Sequence, residues 1–253
     1  MAKNKFYAVA QGRKPGIYTD WFGDNGAEAQ VRGAAGALYK GFASRHEAED
    51  WIKSCAGLAP SQTSMPWGPE GTAEAPQKRV RLKAKKSVKE EAKDHPSPQG
   101  ERIEIYSDGG CSKNPGPGGY GVVIIHDGKR RELSGGYART TNNRMELMGC
   151  IKGLEALEEH CAVTVISDSQ YVVNGIAKGW AKAWKKNNWK RRTGERAENS
   201  DLWARLLVLC EKHDVRFQWV RGHNGNPENE RCDCLAVAMT GKDDLPPDHG
   251  YGK

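Results

Sequence analysis

Between residues 54 and 100 the chain loses every pattern that builds a core, and that gap decides how the remainder can fold. "APSQTSMPWGPEGTAEAPQ" is rich in Pro, Ser and Gly, and "KRVRLKAKKSVKEEAKDHPSPQG" is a charge run, basic first and acidic later. Neither stretch carries enough apolar surface to offset the entropy of ordering it. The chain therefore divides into a small front unit over 1–53, a flexible linker over 54–100, a larger unit over 101–241 and a tail over 242–253. A length of 253 residues with 37% hydrophobic content and a mean hydropathy of −0.76 fits two modest cores better than one large one.

The front unit reads as α+β. "KFYAVAQG", "GIYTDW" and "GALYKGF" have strand character, and "SRHEAEDWIK" is an amphipathic helix with Ser44 as N-cap and Glu47 three residues on. From residue 101 the pattern is richer. Strands are expected at 102–107, 119–126 and 131–139, joined by short turns such as "HDGK" into an antiparallel meander. "TTNNRMELMGCIKGLEALEEH" follows as a helix, with Leu147, Ile151 and Leu154 on one stripe. "AVTVISD" is a nearly all-apolar strand, the kind covered on both faces of a sheet. Helices are expected at about 169–180, 200–212 and 228–240, with the strand "VRFQWVRG" before the last. A meander followed by alternating helix and strand implies an α/β domain built on one mixed sheet.

Seven Cys without regular spacing, no apolar N-terminal stretch and no run of eighteen apolar residues argue for a reduced, cytoplasmic protein with no membrane segment. The thiols read as core-filling or free. Cys232-x-Cys234 lacks a second Cys/His pair at zinc-finger spacing. A formal net charge of +7 and a pI of about 9.0 point to an acidic partner such as nucleic acid.

The chemistry centres on four carboxylates. "IEIYSDGGCSKNPGPGGYG" is an alternating strand that delivers Asp108 at its end, just before a glycine-rich turn. Taken alone, an Asp-Gly-Gly also reads as a turn cap. A second acid, Asp168, ends the buried strand in the same way, and neighbouring strands lie about 4.8 Å apart. Glu146 lies early in the helix after "TTNN", off its apolar stripe, and Asp233 lies early in the last helix. Four acids crowded together persist near neutral pH only if cations neutralise them, and hard oxygen ligands suit Mg²⁺ or Mn²⁺. Spacing alone does not bring them together.

"YSDGGCSKNPGPGGYG", "TTNNRMEL", "SDSQYVVNGI" and "GHNGNPENERCDCLA" resemble, in order and spacing, the motif blocks of bacterial type 1 ribonuclease H. The resemblance implies a five-stranded mixed sheet flanked by helices, and endonucleolytic cutting of the RNA strand of RNA–DNA hybrids by a monomer. It implies a two-metal site for Mg²⁺, with Mn²⁺ as substitute, held by Asp108, Glu146, Asp168 and Asp233. His223 on the preceding loop would assist turnover. Asn114, the Cys111 backbone, Asn142, Asn143 and Gln170 would read 2′-hydroxyls, which distinguish the two strands. Thr141 and Asn199 would hold a phosphate of the DNA strand, although Thr141 and Asn142 also suit a helix cap. "KGWAKAWKKNNWKRR" carries seven Lys/Arg and three Trp without an acid. It resembles the family's basic protrusion, with Lys185 and Lys186 facing out and Trp180 and Trp184 packing inward.

"KFYAVAQGRKPGIY", Trp21, "ALYKGF" and "HEAEDWI" resemble the hybrid-binding, viroplasmin-like domain that precedes some type 1 enzymes. Tyr7, Trp21, Tyr39 and Lys40 are then its contact residues, and Phe42 a core aromatic. The stretch from Trp21 to Val31 is about three residues longer than usual, and Gly41 stands where a second Lys is common. A non-catalytic binding protein would lack some of the acids. An integrase-like nuclease would lack the "TTNNRMEL" block and the basic protrusion.

Overall fold

A computed structural model describes residues 5–34, 36–56, 102–222 and 225–252, which all belong to one compact unit. The expected linker lies outside the described residues beyond its first three positions, and so does His223.

The front part has a three-stranded antiparallel sheet in the order β2-β1-β3, from β1 (Phe6–Gln11), β2 (Gly16–Tyr18) and β3 (Leu38–Phe42). A short helix α1 (Ala27–Val31) lies within the long Trp21–Val31 stretch, which carries no periodic signal. Helix α2 (Arg45–Ser54) starts as expected. Ser44 accepts the backbone N–H of Glu47, whose carboxylate accepts the Ser44 N–H in return, which satisfies two orphan donors of the first turn. Phe42 and Trp51 are buried between this sheet and helix.

The larger part is the expected five-stranded mixed sheet, in the order β6-β5-β4-β7-β8. Strands β4 (Ile103–Cys111), β5 (Gly116–His126) and β6 (Lys129–Thr140) form the antiparallel meander. β7 (Ala162–Ser167) runs parallel to β4, and β8 (Asp214–Trp219) parallel to β7. Helices α3 (Asn142–Glu155), α4 (Gln170–Ala177), α5 (Trp180–Lys186), α6 (Ser200–Lys212) and α7 (Pro227–Thr240) complete the domain. Ile105, Val122, Leu147, Ile151, Leu154 and Trp203 are fully enclosed in its main core.

Three expectations need correction. The first strand does not stop at Asp108; its pairing with β5 continues to Cys111, opposite Gly118. The expected helix over 169–180 divides, because Gly179 takes a left-handed conformation at φ 71 between α4 and α5. Trp180, first on α5, is 39% exposed beneath the Lys178 ammonium, whereas Trp184 does pack inward against Trp203.

The glycines in β4 and β5 have a packing reason. A Cβ on Gly109 would lie 2.3 Å from the Met145 carbonyl carbon, so α3 crosses that strand backbone to backbone. On β5, a Cβ on Gly119 or Gly121 would lie 2.2 or 2.1 Å from backbone oxygens of α7. Glycines thus let α3 and α7 close onto the sheet at the level of Asp108.

The last residues are also built in. Pro246 accepts the Ala138 N–H at 2.9 Å, and Asp248 accepts from Arg144 Nε at 2.6 Å and from Thr140 Oγ1 at 2.7 Å. Arg144 extends its other guanidinium nitrogens to Asp201. Asp248 therefore anchors the start of α3.

Candidate active site

Parallel pairing of β4 with β7 sets Tyr106 opposite Ile166, which brings Asp108 and Asp168 to the same sheet edge. Glu146 arrives from the second turn of α3, where Gly109 lets that helix approach. One carboxylate oxygen from each of Asp108, Glu146 and Asp168 lies within 4.8 Å of the others.

Each acid is held differently. Asp108 is 8% exposed and accepts the Gly109 N–H at 2.7 Å. Asp168 accepts from the Asn229 amide at 3.3 Å, and its backbone carbonyl accepts from the Trp219 indole. Gly222 crowds it so closely that a Cβ there would lie 2.3 Å from Oδ2. Glu146 Oε2 is buried with no hydrogen-bond partner among the described residues. Burial first, and the neighbouring carboxylates second, push the Asp108 and Glu146 carboxyls well above the usual range.

An orphaned buried oxygen amid mutually repelling acids is the electrostatic signature of a site for a divalent cation. The donors are all hard oxygens, the set that suits Mg²⁺ or Mn²⁺.

Asp233 completes the expected four, but it is engaged elsewhere. Lys40 Nζ, from β3 of the front sheet, lies 2.7 Å from each of its oxygens, and the Trp51 indole N–H donates to Oδ2 at 2.6 Å. Burial works against the Lys40 charge, yet Asp233 and Asp108 outweigh it and raise its pKa above the ordinary value. Beside this contact Cys55 and Cys234 form a disulfide, which corrects the expectation of free thiols throughout. The spacing of 179 residues between them gave no signal, since only the docking of α2 on α7 brings them together. A cleft of about 590 Å³ remains over the acids, with Tyr39 and Lys40 on one side and Gly110, Asn142 and Glu146 on the other.

Of the expected substrate groups, Cys111, Asn142, Tyr39 and Lys40 line this cleft. The Cys111 N–H donates to Asn142 Oδ1 at 2.8 Å, and the Asn142 N–H donates to Asn114 Oδ1 at 3.3 Å. These three hold the β4–β5 turn to the start of α3. Thr141 occupies the N-cap position without a side-chain cap bond. Asn143 and Gln170 are exposed in the first turns of α3 and α4. Asn199, at φ 56, donates to the Tyr171 hydroxyl and sits at the start of α6. Lys185 and Lys186 are exposed on α5, with Lys185 paired to Glu211 at 3.2 Å. Tyr7, Trp21 and Tyr39 form a chain of tilted rings with 5.2 Å between successive centroids. Phe42 is core, as expected.

Sequence reasoning missed Asn229 and Trp51. Asn229 stands four residues before Asp233 on α7, so the helical period alone would have placed it on the side facing the acids. Trp51 carried no such signal, because it reads as one more apolar residue on the α2 stripe.

A family model described as RNase H matches residues 100–240, and a second, described as Ribonuclease H1 N-terminal domain, matches residues 5–52. Ribonuclease H of Syntrophus aciditrophicus is 58% identical over 167 residues, 63% of this chain and 96% of that protein. Ribonuclease H of Trichodesmium erythraeum is 60% identical over 149 residues, 59% of this chain and 95% of that protein. Among solved structures, LC9-RNase H1, a type 1 RNase H with the type 2 active-site motif, superposes with a TM-score of 0.51 at 34% identity. That match covers 59% of this chain and 75% of the other.

Proposed function

The chain belongs to the RNase H family, and from that membership we propose that it is a metal-dependent endoribonuclease cutting the RNA strand of RNA–DNA hybrids. The observation that carries the reading is the convergence of Asp108, Glu146 and Asp168 around the partnerless Glu146 oxygen. These three and Asp233 are the residues that would hold two Mg²⁺ ions, with Mn²⁺ as substitute. What bound cations supply at such a site is an activated water, a neutralised phosphate and a stabilised leaving oxygen, consistent with 5′-phosphate and 3′-hydroxyl ends.

The chain's own residues do the selecting. We assign Asn114, Asn142, Asn143, Gln170 and the Cys111 backbone, short neutral donors and acceptors, to sensing 2′-hydroxyls; Asn142 and Cys111 line the cleft with the acids. Thr141 and Asn199 sit at helix N-termini, which favour an anion, and we assign them a phosphate of the DNA strand. Lys185 and Lys186 add charge along the DNA backbone. His223 follows Gly222 in the sequence, and a Cβ on Gly222 would touch Asp168; we assign His223 proton transfer during turnover. The front part is assigned hybrid affinity through Tyr7, Trp21, Tyr39 and Lys40. Among the described residues no helix is long and apolar enough to cross a membrane, and we assign a cytoplasmic monomer.

Strand-labelled RNA–DNA, RNA–RNA and DNA–DNA duplexes, each with and without Mg²⁺, test the reading. Only the RNA strand of the hybrid should be cut, only with metal, and Asp108→Asn should abolish cutting. Full activity in EDTA or in Asp108→Asn would overturn it. His223→Ala should lower kcat with hybrid affinity nearly unchanged; a collapse of affinity would make it a substrate contact instead.

A further inference from the structure

We propose that this structure is a self-blocked state of the enzyme, in which the front part holds Lys40 in the carboxylate cluster and the Cys55–Cys234 disulfide locks it there. The inference rests on the reading of the four acids as the metal site. Four contacts fix the state, and all fall on α7 between Arg231 and Ala238. Lys40 takes both Asp233 oxygens at 2.7 Å, and Trp51 takes one of them at 2.6 Å. Arg231 donates to the backbone oxygens of Ser54 and Ala56 at the end of α2. Phe42 and Trp51 join Cys234, Val237 and Ala238 in one apolar cluster.

The consequence for the site is direct. Lys40 engages both Asp233 oxygens, and the acids that come within 4.8 Å of one another are Asp108, Glu146 and Asp168, with Asp233 beside them in the same cleft. The Lys40 ammonium supplies positive charge at the point where the full set of four would accept a metal ion. Tyr39 and Lys40 also line the cleft through which a scissile phosphate must approach. The same lysine thus cannot serve a hybrid phosphate and Asp233 at once. Metal binding requires Lys40 to release Asp233, substrate binding requires the front part to swing away from α7, and an intact disulfide opposes the latter by raising the effective concentration of the front part at α7.

Release is a two-electron step. A small dithiol attacks the Cys55 sulfur, 5% exposed against 0% for Cys234, and expels Cys234 as a thiolate that takes up a proton. The second thiol of the reductant then displaces Cys55. The products are two protein thiols and the cyclic disulfide of the reductant. An oxidised dithiol reverses the sequence.

The full chain tests this in three forms: wild type oxidised with oxidised dithiothreitol, wild type reduced with dithiothreitol and desalted anaerobically, and Cys55→Ser. Peptide mapping should find Cys55 joined to Cys234 in the first form alone. Calorimetric titration with Mn²⁺ should give an apparent affinity about tenfold or more weaker for the oxidised wild type, because the competent state is then the minor one. Hybrid cleavage should fall at least as far, whereas Cys55→Ser should match the reduced protein under both conditions. Lys40→Met in the oxidised chain should recover much of the Mn²⁺ affinity while the disulfide persists. Equal Mn²⁺ affinity in oxidised and reduced wild type, or oxidised protein without the Cys55–Cys234 link, would overturn the latch. If the reduced and Cys55→Ser forms bind Mn²⁺ tightly yet cut no hybrid, the latch stands and the functional reading fails.

Discussion

The partnerless oxygen of Glu146 and the raised carboxyls of Asp108 and Glu146 mean that this site works against folding until a cation arrives. Replacing one acid by its amide removes repulsion without changing shape. Asp108→Asn, melted in EDTA at neutral pH, should therefore be more stable than wild type by about 1 kcal/mol, roughly 2–4 °C. Saturating Mg²⁺ should stabilise wild type and leave the variant almost unmoved. A variant less stable than wild type in EDTA would mean that the Gly109 N–H bond outweighs the repulsion. Gly109 makes the opposite case. Its absent Cβ leaves room for the α3 backbone, so Gly109→Ala should destabilise by about 1–3 kcal/mol through overpacking. It should also cost activity, because α3 can only yield by carrying Glu146 away from Asp108. Activity loss without any shift in melting would show that α3 had not moved as a body.

At the level of elements, the start of α3 depends on residues that follow the last helix. Arg144 is 3% exposed at its side chain and spans Asp201 and Asp248, of which Asp248 is 4% exposed. Burial pushes the Asp248 carboxyl up, but the bonds from Arg144 and Thr140 outweigh it and leave its pKa below the ordinary 3.8. A depressed carboxyl contributes stability that is present above the unfolded pKa and lost as pH falls through the folded one. Asp248→Ala should thus cost about 3 kcal/mol at pH 7, low in the range for a broken buried pair because Arg144 keeps Asp201. Denaturant titrations should show the gap persisting down to about pH 4 and closing below it; a gap independent of pH would assign the effect to packing. Nothing in "GKDDLPPDHGYGK" signals this role, since a segment without periodicity discloses its partners only once the fold supplies them. Where periodicity exists it told more. The alternation in "IEIYSD", the apolar run "AVTVIS" and the capping pair Ser44 and Glu47 were all legible, whereas the meeting of Asp108 and Asp168 needed the parallel pairing of β4 with β7. The length of β4 was not legible, because glycines that usually end a strand here extend it beneath two helices.

For the whole molecule, a net charge of +7 and a chain of half-buried to exposed aromatic rings predict two kinds of hybrid affinity that respond differently to salt. Phosphate contacts release counterions, so each one adds about 0.9 to the slope of log affinity against log salt. Ring stacking releases none. In the reduced full chain, Lys185→Ala with Lys186→Ala should flatten that slope by as much as about 2 and weaken binding most at low salt. The Lys185 pairing with Glu211 argues for the smaller end of this change, because that lysine is already partly neutralised. Trp21→Ala should weaken binding by roughly 5- to 150-fold, the range for one aromatic stack, with the slope unmoved. Trp21 lies between Tyr7 and Tyr39, so its removal also loosens the neighbouring rings, which favours the larger effect. Filter binding of a catalytically dead Asp108→Asn background at four salt concentrations separates the two. A slope that falls with Trp21→Ala would show that the front part grips hybrids by charge alone, with its rings serving only as the core of a small domain.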